Sequence, residues 1–232
     1  GDRYVADDPA LVGGMARISG IPFMVIGQEK GRTTKEKIAR NFGMVKPEGY
    51  RKSLRLMKLA EKFGLPILSL VDTQGAYPGI DAEERGQPRA IADNLKEAFG
   101  IRTPIIVVVI GEGGSGGALA VAVGDTILMM EHAIYSVITP EGCAAILWKT
   151  RDKAPEAASA LKLTSADCLE HGVIDAIIRE PHGAAHRDPD GTAARVKEEV
   201  LASLQRLNEI PIDELLRMRE QKFFSIGDFL EE

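Results

Sequence analysis

Cysteine, histidine and aromatic residues are scarce in this chain. It has two cysteines (Cys143 and Cys168), four histidines and one tryptophan in 232 residues, and Phe, Trp and Tyr together make up 5%. Two cysteines do not make a disulfide framework or a zinc ligand set, so they read as reduced, buried thiols. No apolar run approaches the roughly 18 residues of a membrane-spanning helix. The start of the chain also lacks the basic-then-apolar pattern of a leader, and the expectation is a soluble, cytoplasmic protein. A chain that begins at Gly1 rather than Met reads as a trimmed fragment. Positive charge is not in excess: 29 Lys and Arg stand against 34 Asp and Glu, a net charge of −5. A nucleic acid is therefore not the default partner. What remains is an ordinary globular composition, 44% apolar and 27% charged, with ample material for a core. It shows no internal repeat.

The stretch that organises the chain is Pro104 to Gly124, PIIVVVIGEGGSGGALAVAVG. Ile105 to Ile110 is an unbroken β-branched run, the pattern of a strand covered on both faces in a parallel sheet. Gly111, Gly113, Gly114, Gly116 and Gly117 follow and predict a sharp turn off the strand into an apolar helix over Ala118 to Val123. Backbone N–H groups at such a turn lack partners, and the missing side chains let a ligand approach them. Several readings remain open. Gly113-Gly114-Ser115-Gly116-Gly117 fits the G-x-S-x-G nucleophile elbow. Gly111, Gly113 and Gly116 fit a dinucleotide fingerprint, although that motif opens a first βαβ unit and this one lies mid-chain. The amides alone fit an oxyanion hole, and tight packing alone also explains glycines. No Lys-Ser/Thr pair follows, which excludes a Walker phosphate loop.

The remaining elements alternate as in an α/β protein. Residues 12–26 predict a hairpin turning at Ser19-Gly20. Lys30 to Arg40 is a basic stretch that reads as a solvated face or a patch for a phosphate-bearing ligand. Pro47 to Phe63 predicts a helix ended by Gly64, and Pro66 to Val71 a buried strand. The strand runs into Asp72-Thr73-Gln74-Gly75-Ala76-Tyr77-Pro78-Gly79, at the carboxyl end where open α/β sheets bind ligands. Gln87 to Phe99 predicts a helix, Thr126 to Met130 and Ala133 to Ile138 strands. Thr139 is placed to cap a helix running to Trp148, with Pro140 in its first turn and Glu141 at its positive end. Pro155 to Leu161 and Ser165 to Glu170 predict short helices, 172–178 a strand, and Pro189 to Leu207 a long helix.

Six ordered segments, GDRYVADDPALVGGMARISG, KGRTTKEKIARNFGM, PEGYRKSLRLMKLAEKFGLPI, DTQGAYPGIDAEERGQ, VIGEGGSGGALA and SVITPEGCAAILWK, resemble the α-subunit family of bacterial acetyl-CoA carboxylase carboxyltransferases. The resemblance covers most of Gly1 to Arg187. It implies an α/β crotonase (Clp protease-like) fold of repeated ββα units over 1–232 as one domain, with C-terminal helices from about 189 and the family's N-terminal segment absent. It implies transfer of a carboxyl group from carboxybiotin on the biotin carboxyl carrier protein to acetyl-CoA. The product, malonyl-CoA, feeds fatty-acid synthesis. The implied partners are a β subunit, in an α2β2 heterotetramer, and indirectly biotin carboxylase, with no metal in this chain.

By the same resemblance the biotin side of the reaction falls to this chain. The amides of Gly116 and Gly117 are then the oxyanion donors. Gly75, Ala76, Tyr77, Gly79, Gly113, Gly114 and Ser115 line the pocket, and Arg85 offers a fork to a carboxylate or pairs with Glu83 or Glu84. Lys30 and Arg32 are candidate contacts for CoA phosphate. Glu141 lies where related hydratases carry a catalytic carboxylate, which carboxyl transfer does not need. Gln74 departs from the proline usual in the family. The rival reading is a serine hydrolase using Ser115 with a histidine from His132, His171, His182 and His186 and an acid such as Asp175.

Overall fold

A computed structural model describes residues 3–227. The one-domain reading over 1–232 takes in residues 1–2 and 228–232, which lie outside the described residues. In chain order the elements are β1 (Leu11–Ile18), β2 (Ile21–Gln28), α1 (Thr34–Ala39), α2 (Pro47–Phe63), β3 (Ile67–Thr73), α3 (Ile80–Glu84), α4 (Gln87–Gly100), β4 (Ile105–Gly114), α5 (Ser115–Leu119), β5 (Thr126–Met130), β6 (Ile134–Ser136), α6 (Pro140–Leu147), α7 (Ala154–Leu161), α8 (Ser165–Glu170), β7 (Ala176–Ile178), α9 (Pro189–Asn208) and α10 (Ile212–Phe224).

The strands form one sheet in the order β1-β2-β3-β4-β5-β7, with β6 joined to β4. Only the β1–β2 hairpin is antiparallel, turning at Ser19-Gly20. All other pairs are parallel. Ile105 to Val109 are buried completely, as a β-branched strand between two neighbours and two helical layers requires. The main apolar core surrounds them and takes in Phe23, Ile26, Met57, Ile67, Leu128 and Leu204, among others. A separate small cluster of Cys143, Ala144 and Ala157, with Ile138 and Leu161, joins α6 to α7.

Local chemistry explains most element ends. α2 has Pro47 in its first turn and closes at Gly64, whose φ of 61° is left-handed, a conformation glycine adopts without steric cost. Thr139 accepts the Gly142 N–H at 3.1 Å and caps α6. Thr33 and Thr164 close capping boxes with Glu36 and Asp167.

The glycine stretch departs from the turn expected of it. β4 does not leave the sheet at Gly111 but runs on to Gly114, because Glu112, Gly113 and Gly114 find a new partner in Ile134, Tyr135 and Ser136 of β6. The helix then starts at Ser115 and lasts five residues, rather than spanning Ala118 to Val123. The strand expected over 172–178 is shorter, Ala176–Ile178.

Candidate active site at the end of the central strand

Where β3 and β4 part, their register shifts: Val71 faces Val109, but Thr73 faces Gly113. The extra residues of β4 form a bulge, the usual device for re-aiming backbone beside a site. Asp72 fills it. Its Oδ1 accepts the Glu112 N–H at 3.0 Å, and the α-carbon of Gly111 packs against its carboxylate. Lys30 closes the cluster, with Nζ 2.8 Å from Asp72 Oδ1 and 2.9 Å from Glu112 Oε2. Burial opposes the lysine's charge, but its bonds to Asp72 and Glu112 outweigh that and hold its pKa above the ordinary lysine value.

Beyond the bulge, two backbone segments meet without side chains between them. A β-carbon on Gly114 would overlap the carbonyl of Gln74, and one on Gly117 would overlap the Gly75 carbonyl carbon and the Ala76 nitrogen. The Gly75 bend is set by Thr73, whose hydroxyl donates to Gly75 O at 2.7 Å and accepts the Gly75 N–H at 3.1 Å. A β-carbon on Gly113 would strike the Tyr135 ring, whereas one on Gly116 would meet nothing nearer than Ile91 Cγ2 at 3.8 Å. Close backbone approach therefore accounts for Gly114 and Gly117 and the Tyr135 ring for Gly113, but neither accounts for Gly116.

α5 runs inward from this contact, and its carbonyls are taken by buried side chains. Ala120 N–H bonds back to Gly116 O and Val121 N–H to Ala118 O, so the ladder passes over Gly117 O. Gln28 Nε2 donates to that oxygen at 2.9 Å and Tyr50 OH at 3.2 Å. Asn94 Nδ2 donates to Ala120 O at 3.1 Å, and Ser69 Oγ to Val121 O at 2.6 Å. Such groups satisfy carbonyls that a short buried helix leaves open. At the other end, residues 115–117 sit in the first turn, where the N–H groups have no i−4 partner within the helix.

Two cavities open beside the turn. One, of about 510 Å³, is lined by Ser115, Gly116, Leu119, Tyr135, Leu161 and Cys168, with His171 and Lys162 also on its wall. The other, of about 270 Å³, lies against Gly113, Gly114, Gln74, Thr139 and Glu141. Ser136 borders both. Gly116 is part-exposed on the wall of the first, while Gly117 is buried one residue deeper. Burial pushes the Cys168 thiol up to about 11, with the Asp167 charge adding to the effect.

The remaining expected site residues are spread around this centre. Gly75 and Ala76 stand against the turn. Tyr77 is pinned by its N–H to Val45 O at 3.1 Å and lies under Lys46 Nζ, 4.5 Å from the ring centre. Gly79 caps α3, and its α-carbon packs on the Tyr77 ring. Arg85 is not among the residues lining either cavity at the turn. It pairs with Glu48 at 2.6 Å and Asp81 at 3.2 Å, not with Glu83 or Glu84, beside Tyr4, Val5 and Arg51. Lys30 is engaged by its two carboxylates, and Arg32 is exposed, with its backbone N–H given to Glu36. Gln28, Tyr50 and Tyr135 are not legible as site residues, since each acts on a partner distant in sequence, while Asp72 is legible as the start of the ligand-binding loop but not for its bonds to Glu112 and Lys30.

Ser115 has a φ of 52°, a left-handed value unusual for serine. His171 shares its cavity, but among the described residues no hydrogen bond joins Ser115 to a histidine. Asp175, the acid of the hydrolase reading, accepts the Ile127 N–H at 2.6 Å and pairs with Lys222 at 2.5 Å. The triad expected for hydrolysis is therefore not assembled. No group of three or more His, Cys, Asp and Glu among the described residues is placed to hold a metal ion, and no described helix is long and apolar enough to cross a membrane.

Residues 1–227 match a family described as acetyl co-enzyme A carboxylase carboxyltransferase-like. The chain is 59% identical over 229 residues to the acetyl-coenzyme A carboxylase carboxyl transferase subunit alpha of Hydrogenovibrio crunogenus, covering 99% of this chain and 72% of that one. Identity to the same subunit of Edwardsiella ictaluri is 58% over 227 residues, 98% of this chain and 71% of the relative. Among solved structures, a Pseudomonas malonate decarboxylase hetero-dimer superposes with a TM-score of 0.74 at 16% identity, over 95% of this chain and 90% of its own. A transcarboxylase 12S with methylmalonyl-coenzyme A and methylmalonic acid bound gives 0.73 at 20% identity, over 87% of this chain and 38% of its own. At those identities the likeness is one of fold.

Proposed function

The chain belongs to the acetyl-CoA carboxylase carboxyltransferase family, in its α-subunit branch, and on that premise we propose that the turn at residues 113–117 is where this carboxyltransferase subunit stabilises the negative charge that carboxyl transfer creates. The enzyme is a transferase, and as an α subunit it works in a complex with a β subunit and a biotin carrier. The finer reading is an α2β2 assembly in which a carboxyl group passes from the carrier to acetyl-CoA to give malonyl-CoA.

Carboxybiotin, when bound, supplies the carboxyl group. The lining suits its polar ring and apolar frame: Gly116 sits on the wall of a cavity that has Leu119, Tyr135, Val137, Leu161 and Val173 on its apolar part and Ser115, Ser136, Lys162 and His171 on its polar part. In this reading the Gly116 N–H donates to the oxygen on which charge grows, fixed before the reaction and needing no reorganisation. Gly117 supports it from behind, because only a residue without a side chain lets Gly75 and Ala76 come so close. Gly113 and Gly114 play the same part toward Tyr135 and Gln74. Ser115 contributes to the wall and not as a nucleophile. Arg85 serves the α2–α3 junction through Glu48 and Asp81 rather than the cavity. Lys30 holds the β-bulge through Asp72 and Glu112, which leaves Arg32 as the freer of the two cations for a CoA phosphate.

The β subunit is read as closing the site over α6. Val137, Ile146, Leu147 and Trp148 are exposed by 74%, 60%, 65% and 43%, and Val137 lies on the rim of the larger cavity. Clustered exposed apolar side chains of this kind mark an interaction surface.

The observation that carries the reading is that Gly116 alone of the turn glycines has room for a side chain yet sits on the cavity wall. The test is carboxyl exchange between malonyl-CoA and a soluble biotin analogue in the assembled complex. Gly116→Ala keeps the N–H and is expected to retain most activity. Gly116→Pro removes it and is expected to lose about 10²–10³-fold in kcat, with thermal melting establishing that both variants fold. Equal activity in the two variants would overturn the role of this amide.

A further inference from the structure

Gln28 ends β2, far in sequence from both segments of the site, yet it holds them together. Its side chain is nearly fully buried, 6% exposed. Oε1 accepts the Asp72 N–H at 3.0 Å, at the bulge where β3 leaves β4. Nε2 donates to Gly117 O at 2.9 Å. One planar amide thus spans the loop carrying Gln74 to Ala76 and the turn carrying Gly113 to Gly117. We propose that Gln28 is a positioning residue for carboxyl transfer, setting the orientation of the peptide units at 116–118 by holding Gly117 O while fixing the start of the opposing loop.

This rests on the Gly116 amide being the donor. Gly117 O is the carbonyl that the helical ladder skips, so this oxygen accepts no bond from the helix backbone. Two side chains bond it instead. Tyr50 OH adds a second donor to the same oxygen but reaches only the turn. Gln28 alone of the two also bonds the loop. Its chemistry is specific: the site needs a donor on one arm and an acceptor on the other, 89 and 44 residues away in sequence, which an amide supplies and a carboxylate or an aliphatic chain does not.

The test uses three variants in the complex with the β subunit, by the exchange assay. Gln28→Met keeps the length and loses both bonds. It is expected to lower kcat about tenfold or more, as a small misplacement of a reacting geometry does, while KM for malonyl-CoA stays within about twofold. Gln28→Glu presents an anionic oxygen to Gly117 O at high pH, and a donor once protonated. Tyr50 OH shares the Gly117 O acceptor with it, and Asp72, whose N–H the side chain accepts, carries its own carboxylate paired with Lys30, which also pairs with Glu112. The activity of this variant relative to the unmodified complex is therefore expected to rise several-fold from about pH 8 to about pH 6. Tyr50→Phe removes a donor without touching the loop and is expected to cost less than Gln28→Met.

A loss in Gln28→Glu that does not change with pH, or a loss expressed in KM with kcat preserved, would overturn the proposal. So would activity in Gln28→Met within about twofold of the unmodified complex. If Gln28→Met fails to fold, the pH profile of Gln28→Glu decides alone. Loss in Gly116→Pro with full activity in the Gln28 variants sinks this inference only. Retained activity in Gly116→Pro sinks the amide reading itself.

Discussion

The α-carbon of Gly117 lies against the backbone nitrogen of Ala76, with no space for a β-carbon between them. Two chain segments that β3 and β4 deliver separately thus become one surface. Gly116, one residue earlier, has its nearest neighbour 3.8 Å from where a β-carbon would sit. Gly117→Ala should therefore destabilise the chain by about 1–3 kcal/mol through overpacking, whereas Gly116→Ala should cost nothing or stabilise it by up to about 1 kcal/mol, because alanine is the better helix former. Urea unfolding of the two variants checks the contrast, and equal losses would contradict the packing described.

Helix α10 is tied to the body of the protein by a buried arginine, beside the buried Leu215. Arg219 Nε and Nη2 each lie 2.8 Å from an Asp125 oxygen, and its other N–H groups donate to Ala98 O, Ile101 O and Thr103 O. Every donor of the guanidinium is used. Arg219→Met leaves Asp125 buried without its cation and should cost about 3–5 kcal/mol. Arg219→Lys should recover little, because a single ammonium does not replace the fork. Thermal melting of both variants measures this, and full rescue by lysine would show that charge alone suffices.

Cys168 borders the larger cavity, and burial holds its thiol near a pKa of about 11. Thiolate is the reactive form. Alkylation of Cys168 should thus be slow at neutral pH and rise about tenfold per pH unit until close to that value. Mass spectrometry of peptides after timed exposure to iodoacetamide gives the profile. A plateau near pH 8 would mean that the thiol ionises as an ordinary exposed one.

The apolar face of α6 offers a test of the complex. Leu147→Asp together with Ile146→Asp replaces two exposed apolar side chains with charge and should weaken binding of the β subunit at least about tenfold. The melting temperature of the isolated chain should stay unchanged, since neither residue is in its core. Sedimentation of the mixture reads the association, and unaltered binding would place the β subunit elsewhere.

Much of this architecture is legible in sequence where the cause is local. The proline and glycine that bound α2, the Ser19-Gly20 turn, the Thr139 cap and the buried run from Ile105 all act within a few residues of themselves. The glycine stretch is legible as a site but not in shape. Its extension as a strand depends on β6, which lies beyond the next helix and strand, and no pattern in 111–114 announces that pairing. Arg85 shows the same limit. Its adjacent acids suggested local pairs, whereas it pairs with Glu48 on α2 and Asp81 on α3. Gln28 falls just past the hairpin read over 12–26, in a polar stretch, and nothing local points to Gly117 until the fold brings it there.

β4 changes neighbours along its length, from β5 at 106–109 to β6 at 112–114. The first part is clamped on both sides by long strands in the main core, the second by a three-residue strand leading to the satellite α6–α7 pair. Amide protons on the same strand are thus protected by different events: global unfolding for the first part, local opening for the second. Opening at the β6 end of β4 therefore does not require loosening of the main core.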